Sequence, residues 1–203
     1  MEKLRSILEA PLIRDSGALW QEATHSPFLD AAAAGTLPAR AFERWLSQDY
    51  LFAKGLTVFQ AVLVSQAPRD CHKPLIAGLA ALDGELEWFE AHAVRLGLDL
   101  HVAPHPICRR YTDFLIRCAH TEPFAVGLAV LFGVEAAYLA AWSALEPAGP
   151  YGEFIERWSS VAFADYVAEL RALAERHPHP AAQEHFNLVL VQEREFWKMS
   201  WEG

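Results

Sequence analysis

Apolar residues recur at helical spacing along most of the chain. Near the C-terminus, Phe186, Leu190, Glu193 and Trp197 are three or four residues apart, which places them on one face of a helix. Runs of β-branched residues and hairpin dipeptides such as Asn-Gly are absent from the sequence. The pattern predicts an all-α helical bundle, and no internal repeat divides it.

Prolines, glycines and capping residues divide this pattern into about seven helical pieces. Thr36 is predicted to cap a long helix whose first turn holds Pro38, and Gly97 is predicted to end the next one. The predicted pieces are residues 5–34, with breaks near Asp15–Gly17 and Ser26–Pro27, then 38–65, 74–96, 107–120, 123–145, 151–176 and 181–200.

Composition and charge narrow the class of protein. The 203 residues are 53% hydrophobic, which allows one domain, 1–203, with a full core. The net charge is −9 and the basic residues form no stripe, so we expect no nucleic-acid partner. The N-terminus lacks a signal-type apolar run, and Cys71, Cys108 and Cys118 form no metal-type pair. We therefore expect a cytoplasmic protein.

One segment has the composition of a membrane-spanning helix. Residues 125–142 contain a single charged side chain, that of Glu135. A spanning helix needs about 20 mostly apolar residues and disfavours a carboxylate near its centre. The segment is therefore predicted to be a buried central helix, and no membrane partner is expected.

A carboxylate is followed three residues later by an aromatic ring at four places. These pairs are Asp49–Phe52, Glu85–Trp88, Glu135–Tyr138 and Glu193–Phe196. Three residues are almost one helical turn, so each pair presents an acid and a ring on the same side. Such pairs could enclose a flat ligand rich in nitrogen, although a chain with 26 acids also produces this spacing by chance.

The acids differ in their surroundings. Glu85 lies in the acidic stretch DGELEWFEAH, which indicates a solvated surface. Asp49 is flanked by apolar and aromatic residues. It is interpreted either as a core acid paired with an arginine or as a ligand-binding group. Glu135 lies in AVLFGVEAAYL, where an unpaired carboxylate is costly, so we expect either a raised pKa or a structural hydrogen bond.

Motifs for other chemistries are absent. The sequence contains no phosphate-binding glycine loop, no HExxH and no GxSxG. His25 follows Glu22 at the ExxH spacing of di-iron bundles, but the second ExxH that such sites need is missing. The sequence therefore predicts no metal and no cofactor.

Several short motifs, in their order along nearly the whole chain, resemble the TenA (thiaminase II-like) family. The matching strings are HSPF, GTLPARAFERWLSQDYLF, RRYTDFL, YGEFIERWSS and the C-terminal QEREFWKMSW. The resemblance implies a haem-oxygenase-like helical fold and a homodimer or homotetramer. It places a substrate-binding and catalytic aspartate at Asp49 and the catalytic glutamate at Glu193. The aromatic residues that it places around a substrate ring are Phe52, Tyr111, Tyr138 and Trp158.

The sequence departs from the better-known branch of that family at the nucleophile. That branch carries a cysteine on its central helix, and the matching string LFGVEAAY places Val134 in the same column, with Glu135 next. The chain thus resembles a branch without the cysteine, in which a glutamate occupies this region.

The resemblance implies a hydrolase in thiamin salvage. Its substrates would be aminomethyl-pyrimidine or the N-formyl form, and its product hydroxymethylpyrimidine. Asp49 would hold the aminopyrimidine edge, and Glu193 and Glu135 would serve as acid and base. Two alternatives stay open: a pyrimidine-binding or regulatory protein without turnover, and a metal-dependent oxidase on the same fold.

Overall fold

The computed structural model describes residues 2–146 and 149–202, and within them every regular element is a helix. The α-helices are α1 (Glu2–Leu8), α2 (Pro11–Arg14), α3 (Ala18–Thr24), α4 (Pro27–Ala33), α5 (Ala39–Gln66), α6 (His72–Leu96), α7 (Pro106–Thr121), α8 (Phe124–Ser143), α9 (Gly152–Trp158), α10 (Val161–Arg176) and α11 (Ala182–Glu202). Single 3₁₀ turns at Arg69–Cys71 and Gly149–Tyr151 precede α6 and α9. The predicted all-α class is confirmed.

Helix α8 forms the centre of the bundle. It packs against α10 and α11 on two sides and also contacts α3, α5, α7 and α9. It is long and apolar enough to cross a membrane, yet 78% of its most apolar window is buried inside the protein. Its small residues allow this close packing, since a Cβ on Gly133 would lie 3.1 Å from the ring of Phe186 on α11. Helix α8 is therefore the buried central helix that the sequence predicts.

The prediction of one helix over 151–176 is wrong, because this segment forms two helices, α9 and α10. Ser159 and Ser160 interrupt it, and Ser160 adopts an extended backbone with ψ at 152°. The hydroxyl of Ser160 accepts a hydrogen bond from the backbone N–H of Phe163 and so caps α10. The break turns Trp158, at the end of α9, and Phe163, at the start of α10, toward a common cavity.

The N-terminal third also differs from its prediction. Residues 5–34 form four short helices, since Pro11 starts a helix of its own. Thr36 does not cap α5: its hydroxyl hydrogen-bonds the carbonyl of Ala31, and Pro38 occupies the capping position with no side-chain hydrogen bond. A proline at this position fixes the backbone without needing a donor.

Gly78 on α6 lies where three helices meet, and replacing it tests this packing. A Cβ there would lie 2.2 Å from the Tyr166 hydroxyl and 2.3 Å from Nε2 of Gln60, which hydrogen-bond each other. We expect Gly78→Ala to lower the unfolding free energy by about 1–3 kcal/mol through overpacking. In the same helix, a Cβ on Gly84 would meet no heavy atom within 4 Å apart from its own helix backbone, so Gly84→Ala should stabilise the fold by about 0.5–1 kcal/mol. Urea unfolding measures the unfolding free energy of both variants. Equal changes in Gly78→Ala and Gly84→Ala would contradict the close packing described at Gly78.

Candidate active site

A cavity lies between α5, α6, α8 and the α9–α10 junction. Its volume is about 30 Å³, enough for a water molecule, so a ring-sized ligand requires the lining side chains to move apart. The lining residues are Asp49, Phe52, Ala53, Leu56, Leu82, Glu85, Val134, Glu135, Tyr138, Trp158 and Phe163. Three carboxyl groups and four aromatic rings therefore face one small space, and among residues 2–146 and 149–202 no lysine, arginine or histidine lines it.

Asp49 and Tyr138 form a hydrogen-bonded pair at the cavity wall. The Tyr138 hydroxyl donates to Oδ2 of Asp49 at 2.6 Å. Burial raises the pKa of Asp49 well above its usual range, and the hydrogen bond from Tyr138 opposes this. Within the described residues Asp49 has no salt bridge, so the interpretation of a core acid paired with an arginine is wrong.

Glu135 faces the cavity without a hydrogen-bond partner among the described residues. Its side chain is 7% exposed, although it lies in the most apolar helix. Burial raises its pKa from 4.5 to about 8, and the neighbouring charges of Glu85 and Glu193 add to the shift. The structure thus agrees with the expectation of a raised pKa and provides no structural hydrogen bond in its place.

Glu193 on α11 lies beside the cavity wall but does not line the cavity. The hydroxyl of Tyr111 on α7 donates to its Oε1 at 2.5 Å. Burial raises the pKa of Glu193 to about 8, and the Tyr111 hydrogen bond lowers it in part. The Tyr111 ring centroid lies 4.6 Å from that of Phe52, a lining residue. Glu193 and Tyr111 therefore form a second layer behind Phe52.

The position of Glu85 corrects the prediction from its acidic stretch. That stretch predicts a surface side chain, yet Glu85 lines the cavity and accepts a hydrogen bond from Nε1 of Trp158 at 3.2 Å. Burial raises its pKa, while the nearby guanidinium of Arg157 lowers it. Asp83 and Gly84, just before it, are exposed, which explains why the stretch resembles a surface.

The aromatic residues meet around the carboxyl groups. The ring centroids of Tyr138 and Trp158 are 5.4 Å apart, at an interplanar angle of 83°. Phe163 also lines the cavity but was missed, because it follows a break that the sequence did not reveal. Trp158 and Phe163, with Glu85, also line a second, outer cavity that includes Arg157. The three shared residues lie between the buried cavity and this outer one.

None of the three cysteines lines the buried cavity. The thiol of Cys108 donates to the backbone carbonyl of Gln48, the residue before Asp49, at 3.4 Å. Burial raises the pKa of Cys108 and that of Cys118 to about 12. Val134, the residue in the column of the family's cysteine, does line the cavity.

The buried glutamates predict how stability depends on pH. Between about pH 4.5 and 8, folded Glu135 holds a proton that the unfolded chain has released, so its contribution to stability falls as the pH rises. We expect Glu135→Gln to gain up to about 1.4 kcal/mol per pH unit relative to wild type across this window, with no further gain above it. Urea unfolding at several pH values measures this difference. A difference that stays constant with pH would show that the carboxyl group titrates normally.

Comparisons with known proteins agree with this architecture. A soybean (Glycine max) relative named "Probable bifunctional TENA-E protein" is 27% identical over 201 residues, covering 90% of this chain and 88% of its own length. A Corynebacterium efficiens relative named "Thiamine biosynthesis multifunctional protein ThiED" is 26% identical, covering 93% of this chain but 29% of its own length.

Solved structures extend the comparison to the fold. A TenA homologue from Pyrococcus furiosus superposes with a TM-score of 0.87 and 33% identity, covering 93% of this chain and 97% of the other. A domain of Shewanella denitrificans with a haem oxygenase-like fold superposes with a TM-score of 0.72 at 13% identity, covering 93% and 90%. The predicted haem-oxygenase-like fold is thus confirmed. The sequence matches the description of the TENA/THI-4/PQQC family over residues 15–203, and the chain belongs to that family.

Proposed function

We propose that the protein hydrolyses an aminomethyl-pyrimidine, or its N-formyl derivative, in the salvage of degraded thiamin. One observation carries the proposal: three carboxyl groups and four aromatic rings line a small cavity that has no basic lining residue. Such a cavity suits a small, flat ligand that is cationic or rich in N–H donors. An aminopyrimidine with an aminomethyl arm has this chemistry.

The names of the relatives support a role in thiamin metabolism. The Corynebacterium relative is named for thiamine biosynthesis and the soybean relative as a TENA-E protein. The chain resembles the branch of the TenA family without the catalytic cysteine, since Val134 occupies that column. Cleavage of thiamin through a covalent thiolate adduct is therefore not proposed, and proton transfer by carboxyl groups takes its place.

In the proposed mechanism, the lining residues bind the ring. Asp49, oriented by Tyr138, accepts hydrogen bonds from the aminopyrimidine edge. Phe52, Tyr138 and Trp158 contact the ring faces and edges, and Tyr111 supports Phe52 from behind. Because these groups are buried from water, each of these electrostatic contacts is screened less than in solution.

Two carboxyl groups then carry the protons. Glu135 faces the cavity and, with a pKa of about 8, holds a proton near neutral pH that it donates to the departing amine. Water forms the new C–O bond at the methylene carbon as the C–N bond breaks, and ammonia leaves. Glu193, whose charge interacts with Glu135, is the second member of the pair. Because it lies behind Phe52 and does not line the cavity, we propose that its ionised form accepts the proton through an intervening water molecule. With the N-formyl substrate, water attacks the formyl carbon, the formyl C–N bond breaks, and formate and aminomethyl-pyrimidine are released; the amine then enters the first reaction.

The proposal is tested by incubating purified protein with each pyrimidine and measuring ammonia, formate and hydroxymethylpyrimidine. Release of ammonia or formate with wild-type protein supports hydrolysis. A second candidate is a pyrimidine-binding protein without turnover, which is favoured by the position of Glu193 behind the cavity wall. Binding of hydroxymethyl-aminopyrimidine with no release of either product would establish this candidate instead.

Resistance to thiol reagents is a separate expected result. All three cysteines are buried, and none lines the cavity. Because alkylation requires an accessible thiolate, we expect iodoacetamide to leave hydrolysis unchanged under native conditions. Mass spectrometry of the treated protein measures labelling, and guanidinium-unfolded protein is the positive control. Inactivation that tracks labelling of Cys108 would show that a thiol takes part.

A further inference from the structure

A cluster of three possible metal ligands lies outside the active-site cavity. Asp70 and Cys71 belong to the 3₁₀ turn before α6, and His177 caps the C-terminal end of α10. One ligand atom from each side chain lies within 4.8 Å of the other two. We propose that Asp70, Cys71 and His177 bind a zinc ion that joins the start of α6 to the end of α10.

The separations within the cluster agree with zinc coordination. Cys71 Sγ lies 3.4 Å from His177 Nε2, and the same nitrogen lies 3.3 Å from Oδ2 of Asp70. In a tetrahedral site, Zn–S bonds of about 2.3 Å and Zn–N and Zn–O bonds of about 2.0–2.2 Å place sulfur and nitrogen about 3.5 Å apart, and nitrogen and oxygen about 3.4 Å apart. The third separation, from Cys71 Sγ to the Asp70 carboxylate, is within 4.8 Å and needs to be about 3.6 Å in a tetrahedral site, a change that the exposed Asp70 side chain can make.

The chemistry of the donors selects the metal. A thiolate, an imidazole and a carboxylate form a mixed set that suits zinc, whereas calcium and magnesium prefer oxygen ligands alone. Binding releases the thiol proton of Cys71 as the Zn–S bond forms, while neutral His177 and ionised Asp70 each donate a lone pair. Three protein ligands leave the fourth position for water.

The exposure of the three residues gives the ion a route into the site. Cys71 is fully buried, His177 is half-buried and Asp70 is exposed, so the site opens on the side of the carboxylate. Among the described residues, Arg176 forms a salt bridge with Asp70, with its Nη2 3.9 Å from Oδ2. This distance is longer than a hydrogen bond, so Arg176 leaves the carboxylate oxygen available for a metal.

The zinc site is independent of the proposed hydrolysis, because none of its residues lines the active-site cavity. His177 instead borders a different cavity, near Pro11 and Phe132. No local motif indicates this cluster, since His177 is 106 residues from Cys71 and no ligand spacing joins them. Only the return of α10 to the start of α6 brings them together.

Cobalt substitution tests the proposal directly. Chelator-treated and dialysed full-length protein is titrated with Co²⁺, and we expect a thiolate-to-cobalt charge-transfer band that saturates at one ion per chain. Added Zn²⁺ should abolish the band and raise the Tm, since an ion that binds only the folded state stabilises it. The absence of a band in the wild-type protein would overturn the proposal and leave a hydrogen-bonded cluster.

Variants locate the ion. Asp70→Asn changes an exposed residue and should weaken the cobalt Kd by at least about tenfold, and Cys71→Ser should remove the charge-transfer band. Cys118→Ser, at a buried cysteine elsewhere, and His179→Gln, two residues beyond the ligand, should leave band and Kd unchanged. A band that survives Cys71→Ser, or an unchanged Kd in folded Asp70→Asn, would refute the site. Hydrolysis is expected to be the same with and without the ion.

Discussion

Glu135→Gln and Glu193→Gln are each expected to lower kcat for aminomethyl-pyrimidine hydrolysis by about 10²–10⁴-fold, the usual contribution of a positioned acid or base. Glutamine keeps the shape of each side chain but carries no transferable proton. Both carboxyl groups are buried with a pKa of about 8, and the charge of Glu193 raises the pKa of Glu135. Because the two act as a pair, the double variant should lose little more activity than either single variant.

The matched control is Glu184→Gln, which lies on α11 with Glu193 but at an exposed position. Its kcat should equal that of wild type. Circular dichroism and urea unfolding verify that the variants are folded, and the glutamine variants should be more stable than wild type above about pH 8 because they lack a buried ionisable group. Full activity in both glutamine variants would remove the proposed mechanism.

Asp49→Asn is expected to weaken binding of hydroxymethyl-aminopyrimidine by about 10–100-fold, because a buried donor of the ligand that loses its acceptor costs about 1–3 kcal/mol. The asparagine amide also presents a donor where the aminopyrimidine edge needs an acceptor. Tyr138→Phe should have a smaller effect, since it removes only the hydroxyl that orients Asp49. Isothermal titration calorimetry measures both Kd values.

Glu43→Gln is the control for Asp49, since Glu43 lies on the same helix, α5, with its side chain exposed. Its Kd should not change. If Asp49→Asn bound the pyrimidine as tightly as wild type, Asp49 would have a structural role with Tyr138 and the ligand would bind by other contacts.

The helical spacing of apolar residues, together with the prolines, glycines and capping residues between the segments, is sufficient to predict most of the helices and part of the site. The apolar run around Glu135 predicts a buried central helix, and for the carboxyl group either a raised pKa or a structural hydrogen bond, because a lone carboxylate is costly to bury in its charged form. The spacing of an acid three residues before an aromatic also selects Asp49–Phe52 and Glu135–Tyr138, whose members all line the cavity.

Contacts between helices that are far apart in the sequence cannot be predicted from local sequence patterns. Glu85 follows exposed neighbours, so that only the packing of α6 against the α9–α10 junction reveals its partner, Trp158. Phe163 enters the cavity because Ser160 accepts a hydrogen bond that restarts the helix, a local choice that competes with continuing it. Trp88 and Phe196, which follow acids at the same spacing, do not line the cavity, which shows that the spacing alone does not distinguish a site from core packing.

The central claim is that the buried carboxyl groups of this cavity catalyse hydrolysis of a pyrimidine C–N bond. Product analysis in ¹⁸O-labelled water tests it most directly, with aminomethyl-pyrimidine as the substrate and the wild-type and Glu135→Gln proteins compared. We predict hydroxymethylpyrimidine that carries ¹⁸O and an equal amount of ammonia from wild type, and almost no product from the variant. No product from folded, ligand-binding wild-type protein, or equal product from both proteins, would contradict the claim.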